Sequence, residues 1–372
     1  MPGVMLPPFP DDVPKHPLLV VDYQLVKAGD SAEIDKLWDA ATKLGFWYLK
    51  DHDADAEVHA MFQMGKETMQ LPLDEKMKYE QGDEGSNFGY KAAGASAVDS
   101  AGTVDSVEFI NVAKDDALAY PSVVHRTYPQ TVNARIQSTV KPFTLKAIDI
   151  CNTLIGALND RLGLPHGKLN ELHCIDKPSF CQSRCTKNPP ARGVPADKPA
   201  LGQHTDYGSL SFLHNRLGGL QVMPPGTSEW CYIEASAAPD GQPLPGHAIC
   251  NVGDALALFS GGILRSNLHR VVAPPGAQAA HERWSLVYFH RPHNGVPLAA
   301  LARDSAMIAD AVAAAAEPGK YSTGETADAW LMRRVRMRRT KNMTGPDAWR
   351  QGLGTEHDVR AQTAVAREVP AY

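Results

Sequence analysis

Gln203-His204-Thr205-Asp206-Tyr207-Gly208 carries an imidazole and a carboxylate two residues apart. Two residues is the repeat of an extended strand, so on a strand both side chains fall on one face. The surrounding text says what kind of strand this is. From residue 201 to 292 short runs recur, among them Leu210-Ser211-Phe212-Leu213, Gly219-Leu220-Gln221-Val222, Ala255-Leu256-Ala257-Leu258 and Leu286-Val287-Tyr288-Phe289, punctuated by Gly, Pro, Asn and Asp. That rhythm predicts a strand-rich sandwich or barrel. Glycine (30) and proline (28) are plentiful in the 372 residues, which agrees with many turns and short strands.

A further imidazole, His269, arrives in Ser266-Asn267-Leu268-His269-Arg270-Val271, within the same strand-rich segment. Two histidines and one carboxylate on one face of an octahedral ion leave three positions open, which suits non-haem Fe(II) activating O₂. Downstream, Arg283 and Ser285 are again two apart, hence on one strand face, and a guanidinium with a hydroxyl fits a carboxylate ligand.

Upstream the pattern is mixed. Leu18 to Asp22 and Phe46 to Leu49 read as strands, and helical spacing runs from Ser31 to Leu44, with capping chemistry at Ser31 to Glu33, and again over 55–70. Residues 129–163 carry apolar positions at intervals of three and four and predict one long amphipathic helix closing at Gly163. Gln81 to Thr103 and Asn188 to Leu201 have the small, polar, Pro/Gly-bearing composition of long loops; the first is expected to be mobile and to lie at a surface or act as a lid. Ala309 to Ala316 and Ala327 to Arg339 read as helices.

In this order the motifs resemble the isopenicillin N synthase-like branch of the Fe(II)- and 2-oxoglutarate-dependent dioxygenases. The resemblance covers most of residues 15–350. It rests on His204-Thr205-Asp206-Tyr207-Gly208, Gly219 to Val222, Asn251-Val252-Gly253-Asp254, His269-Arg270-Val271 and Arg283-Trp284-Ser285, with Leu18 to Asp22, Leu44 to Tyr48 and Leu71 to Met77 in the leading half. It implies an α+β fold with a β core, a distorted double-stranded β-helix (jelly roll) flanked by helices. The implied divisions are an N-terminal mixed domain (15–125), a helical support (126–180), the jelly-roll core (181–300) and a C-terminal helical extension near the mouth (301–372).

The resemblance also assigns roles. His204, Asp206 and His269 would ligate Fe(II), while Arg283 with Ser285 would anchor the distal carboxylate of 2-oxoglutarate. Relatives usually carry a tyrosine before a proline on the strand preceding the His-x-Asp motif; here Asn188, ahead of Pro189-Pro190, stands at about that place. An amide also donates a hydrogen bond, so Asn188 is a co-substrate candidate. Alternation along the strand from Arg283 puts Val287 and Phe289 on the inner face, as substrate-pocket candidates, and His290 on the outer.

The expected activity is oxidation of an unactivated C–H bond of a small molecule of secondary metabolism by hydroxylation, desaturation or cyclisation, with O₂ consumed and succinate and CO₂ released. Two rivals stand beside it: an Fe(II) oxidase of the isopenicillin N synthase type that needs no 2-oxoglutarate, and a silent small-molecule-binding jelly roll.

The bulk properties narrow the partners. Lys plus Arg (37) against Asp plus Glu (42) leave a net charge of −5, too mild to point to nucleic acid or an anionic membrane. No apolar stretch reaches the ~18 residues of a membrane helix, and Met1 to Pro17 has no apolar export-signal core. The six cysteines are scattered and without a CxxC pair, so they are read as reduced thiols of a cytoplasmic protein, and a soft-metal site at Cys181 and Cys185 is set aside. His214, His247, His281, His290 and His293 are read as surface or structural, and the basic run Arg333 to Lys341 as a solvated or ion-paired helix. A monomer is expected.

Overall fold

The computed structural model describes residues 6–195, 197–235 and 247–355. Residues 236–246 and, in the expected C-terminal extension, 356–372 lie outside the described residues.

The leading half supplies four strands, Val20–Asp22 (β1), Phe46–Lys50 (β2), Gly89–Lys91 (β3) and Glu108–Ala113 (β4). The strand-rich half adds Gln182–Asn188 (β5), Pro199–His204 (β6), Leu210–Asn215 (β7), Leu220–Val222 (β8), Cys231–Tyr232 (β9), Ala248–Val252 (β10), His269–Val272 (β11) and Arg283–His290 (β12). An eight-stranded sheet runs β1-β2-β10-β7-β12-β5-β4-β3 and a four-stranded one β6-β11-β8-β9. From β5 to β8, and again from β10 to β12, each successive strand changes sheet, which is the winding of a double-stranded β-helix. The leading strands extend both edges of the larger sheet, β1 and β2 beside β10 and β3 and β4 beside β5.

Alternation along β12 explains how the larger sheet is covered. Leu286 and Tyr288 are buried on the helix side, where Phe143 of the helix Lys141–Arg161 lies edge-on to Tyr288 with ring centroids 6.5 Å apart. Arg283, Ser285, Val287 and Phe289 point the other way, into a cavity between the two sheets. That helix buries Ile150, Leu154 and Leu158 as well, each fully buried side chain contributing about 1.5–3 kcal/mol.

Several local expectations are corrected. The helix expected over 129–163 is three pieces, Gln130–Asn133, a π-helical turn Ile136–Val140 and Lys141–Arg161; Pro142 has no amide hydrogen to continue an i→i−4 ladder, so the turn before it is wound differently. Ala255-Leu256-Ala257-Leu258 lies in a helix, Asp254–Phe259, not a strand. Every residue of that helix is buried, so it has no polar face from which to read a period. Gln81 to Thr103 is not a free loop: β3 lies within it, and Tyr90 and Lys91 are buried, Lys91 paired with Asp105. The helix Ser31–Lys43 is capped by Asp30, whose carboxylate accepts from Glu33 N at 2.9 Å, rather than by Ser31.

Candidate active site

β6 ends on His204 and β11 begins on His269, and in the antiparallel register these two residues are direct partners. The strand stops before Asp206, so the carboxylate is brought round by the turn that follows rather than by strand alternation. That turn is pinned to the start of the helix Asp254–Phe259: Asp254 N donates to Asp206 O (2.7 Å) and Ala255 N to Gly208 O (2.9 Å). The approach leaves no room for a side chain, since a Cβ on Gly253 would lie 2.2 Å from Gly208 O.

The three side chains converge with their ligating atoms within 4.8 Å of one another. His204 Nε2 and His269 Nε2 lie 3.9 and 3.8 Å from Asp206 Oδ1. Each imidazole is fixed from behind, His204 Nδ1 donating to Gly202 O (2.8 Å) and His269 Nδ1 to Asn267 O (3.1 Å). A hydrogen on Nδ1 leaves the Nε2 lone pair free, the tautomer a metal ligand needs. Asp206 is oriented in the same manner. Its Oδ2 accepts from Ser211 Oγ (2.5 Å) and Asn251 Nδ2 (2.8 Å), so Oδ1 is turned to the imidazoles.

Charge states follow the geometry. Burial, with His269 alongside, pushes the His204 pKa well below its ordinary value, so the ring is neutral. Burial opposes ionisation of Asp206, yet the two imidazoles and the Ser211 and Asn251 hydrogen bonds outweigh it and hold the carboxyl below its ordinary value. Two imidazole nitrogens and an ionised carboxylate are the donor set of a hard to borderline divalent cation, and they fit Fe(II).

The cavity beside the triad encloses about 200 Å³. At one end Arg283 is buried, its Nε donating to Gly218 O at 2.7 Å, and burial alone pulls its pKa down to about 10. Asn188 stands directly opposite Arg283 on β5, and Asn215 opposite Ser285 on β7. Both amides are buried, and neither the oxygen nor the nitrogen of either has a partner among the described residues. An uncompensated cation beside orphaned polar atoms is costly unless a polar anion completes it, so these residues fit a dicarboxylate. Val287 and Phe289 line the wall farther along β12.

Ser211, Asn251, Asn215, Arg184 and Arg291 belong to the cavity lining but carry no role in the sequence reading. For Ser211 the signal was present, a lone hydroxyl within the apolar run Leu210 to Leu213. His290 lies on the helix side of β12, hydrogen-bonded to Asn152 Oδ1 (3.0 Å) and stacked on His173, and is structural. All six cysteines are free, and the triad is the metal-ligand cluster found among the described residues. No helix among those residues is long and apolar enough to cross a membrane.

Comparison with known proteins agrees with this geometry. Residues 18–133 match the family described as non-haem dioxygenase in morphine synthesis N-terminal, and residues 181–292 the 2OG-Fe(II) oxygenase superfamily. Relatives named 2-oxoglutarate-dependent dioxygenases occur in Aspergillus fumigatus (37% identical over 159 residues, 40% of this chain and 41% of that protein) and Gibberella zeae (29% over 274 residues, 70% and 75%). The structure of a full-length Neurospora crassa protein in complex with alpha-KG and 5-formyluracil shares the fold at a TM-score of 0.65 and 21% identity, covering 85% of this chain and 95% of that one. A 2OG-Fe(II) oxygenase family protein from Caulobacter crescentus does so at 0.66 and 22%, covering 86% and 98%. The relatives' names carry the co-substrate, which supports the reading with 2-oxoglutarate and neither rival. With its jelly roll, its His-Asp-His cluster and both family matches in chain order, the chain belongs to the Fe(II)/2-oxoglutarate-dependent dioxygenases of the isopenicillin N synthase-like branch.

Proposed function

We propose that His204, Asp206 and His269 hold Fe(II), that Arg283 and Ser285 bind the distal carboxylate of 2-oxoglutarate with Asn188 completing its polar shell, and that a small-molecule substrate lies against Val287 and Phe289. The observation that carries this reading is the orientation of the triad, with both Nδ1 atoms and Asp206 Oδ2 occupied and the remaining donor atoms turned to one point. When bound, Fe(II) with 2-oxoglutarate supplies the O₂ activation that oxidises a C–H bond while succinate and CO₂ form.

The protein's own part is placement. Gly202 and Asn267 carbonyls hold the two rings, and Ser211 and Asn251 hold the carboxylate, so these contacts orient the ligand set. Arg283 and Asn188 fix one end of the co-substrate, and the apolar wall excludes water and aims a substrate C–H. The same reading takes residues 15–125 as the segment that closes the sheet edges, 126–180 as support, 181–300 as the catalytic core and 301–372 as the flank of the mouth, in a cytoplasmic monomer without nucleic-acid or membrane partners.

Anaerobic addition of Fe(II) and 2-oxoglutarate should produce a visible metal-to-ligand charge-transfer band. O₂ should then yield succinate. A protein giving neither, with candidate substrates present, would sink the proposal.

A further inference from the structure

We infer that the substrate is an organic acid whose carboxylate is received by Arg184 and Arg291, at a second anion site beside the iron and distinct from the Arg283 site. The inference rests on the proposed iron and 2-oxoglutarate reading and names the substrate class for it.

Register separates the two sites. On the cavity face of β5 and β12 the paired positions run Asn188 with Arg283, Thr186 with Ser285, Arg184 with Val287 and Gln182 with Phe289. Arg184 is thus four residues from the Asn188 row, about 13 Å at strand rise, and Arg291 follows two residues beyond Phe289, where the chain leaves β12. Both guanidiniums lie against Phe289, each 4.8 Å from its ring centroid, while Arg184 also lies over Phe109 at 4.0 Å. Such packing holds a guanidinium plane in place and leaves its edge to a ligand.

Neither arginine is satisfied by the protein. Arg184 Nε donates to Asn111 Oδ1 (2.7 Å), and the Gln182 amide, turned to meet Asn87, accepts from Arg184 Nη2 at 3.3 Å. Its Nη1 has no hydrogen-bond partner among the described residues. Arg291 is buried; its Nη1 donates to Phe180 O, and its Nε is buried without a partner. Neither forms an ion pair among the described residues, and Asp206 is the carboxylate in the cavity lining. In the proposed site that carboxylate belongs to the iron.

Charge counting then decides the sign of the missing group. Fe(II) and Arg283 together balance Asp206 and the 2-oxoglutarate dianion; of the other lining arginines, Arg339 is paired with Glu80 and Asp83 and Arg338 donates to the Gly352 and Gln203 carbonyls, so half-buried Arg184 and buried Arg291 remain as cations without a counter-ion. Burying unpaired charge is expensive, and an Arg fork matches a carboxylate. No further acid lines the described cavity to receive an ammonium, while Val107, Phe109, Leu213 and Val287 are apolar. The complement is a carboxylate on an apolar body without a required amino group.

The test loads the protein anaerobically with Fe(II) and 2-oxoglutarate, records the charge-transfer band, and titrates octanoate, phenylacetate and 3-phenylpropionate against their primary amides by calorimetry. At least one acid should bind tenfold or more tighter than its amide. Arg184→Gln should bring that ratio within about twofold, Arg184→Lys should retain part of it, and the 2-oxoglutarate affinity read from the band should move less than threefold. Arg291→Gln should cut the preference at least threefold, and it carries the comparison if Arg184→Gln does not fold. Acids and amides binding alike, or not at all, would overturn the inference. So would an Arg184→Gln protein that keeps the acid preference but loses 2-oxoglutarate affinity tenfold, for the arginine would then serve the co-substrate. A band without acid preference marks failure of this inference alone, whereas no band in the unaltered protein removes the iron reading and this inference with it.

Discussion

His204 and His269 face each other as direct partners across the β6–β11 pair, their ring centroids 4.3 Å apart, with each Nδ1 tied to a carbonyl two residues earlier in its own chain segment. The backbone therefore sets the orientation of both rings. His204→Ala or His269→Ala should abolish iron-dependent turnover while the apoprotein still folds, checked by Fe(II) titration beside circular dichroism. An alanine variant that keeps both full Fe(II) affinity and turnover would remove that residue from the ligand set.

Asp206 depends on neighbours from other strands. Ser211→Ala or Asn251→Ala frees Oδ2, lets the carboxylate rotate, and should weaken Fe(II) binding by roughly 10- to 100-fold without removing a ligand. Equal Fe(II) affinity in both variants would show that the turn after β6 alone sets the carboxylate.

Asn188 gives a prediction with two signs. Its amide is buried and unpartnered, so Asn188→Ala should leave the melting temperature of the apoprotein unchanged or raised. The same change should raise the 2-oxoglutarate KM by about 2- to 10-fold, the worth of one ordinary hydrogen bond. Arg283→Ala removes a charge-assisted partner and should raise it by roughly 30-fold or more. If Arg283→Ala leaves the 2-oxoglutarate requirement untouched, the Fe(II) oxidase that needs no co-substrate becomes the better reading.

Much of this site was legible because its signals are local. His204, Asp206, Arg283 and Ser285 each lie two residues from a partner, and such spacing is visible in one dimension. Asn188 became a co-substrate candidate through a departure from a family pattern. Arg184 and Arg291 were not legible, since what marks them is the lack of a counter-ion, a property of everything folded around them. The way Asp206 is placed was not legible either, because the anchor of its turn, Asp254, lies in a helix that reads as a strand from its apolar run. The π turn at Ile136–Val140 was missed because a three-and-four periodicity does not register where one proline interrupts the ladder.

Acid sensitivity should originate on the helix side of the sheet. His173 is buried, with Nδ1 donating to Leu169 O (2.6 Å) and Nε2 accepting from Ser209 Oγ (2.7 Å), and burial lowers its pKa from 6.5 to about 4. Burial, with His173 beside it, also pushes His290 well below its ordinary value. A folded pKa below the unfolded one means that the unfolded chain takes up more protons in between. The contribution of His173, on the order of 3 kcal/mol, is fully present above about pH 6.5 and is lost as pH falls towards 4. Apoprotein melting temperatures should decline across that window, and His173→Gln should flatten the decline; an unchanged slope would place the acid sensitivity elsewhere.

The C-terminal chain reaches the turn that carries Asp206 directly. Tyr207 Oη donates to Gly352 O (2.6 Å), Thr355 donates to Asp254 through both N (3.1 Å) and Oγ1 (2.8 Å), and Arg338 Nη2 donates to Gln203 O (3.3 Å). Two of these contacts brace residues flanking His204 and Asp206, and the third braces the aspartate whose backbone pins that turn. Ending the chain after Asn342 keeps the helix Ala327–Arg338, with its buried Trp330 and Leu331, but removes Gly352 and Thr355. The turn then loses its outer brace and the cavity a flank against water. Fe(II) affinity should fall several-fold, and succinate formed without substrate should rise relative to the full chain. Ending it after Thr326 also takes away Val335 and Arg338 from the cavity wall and should enlarge both effects. A chain ending at Asn342 with unaltered Fe(II) affinity and unaltered substrate-free succinate would show that the turn is held from within, by Ser211, Asn251 and the Asp254 helix.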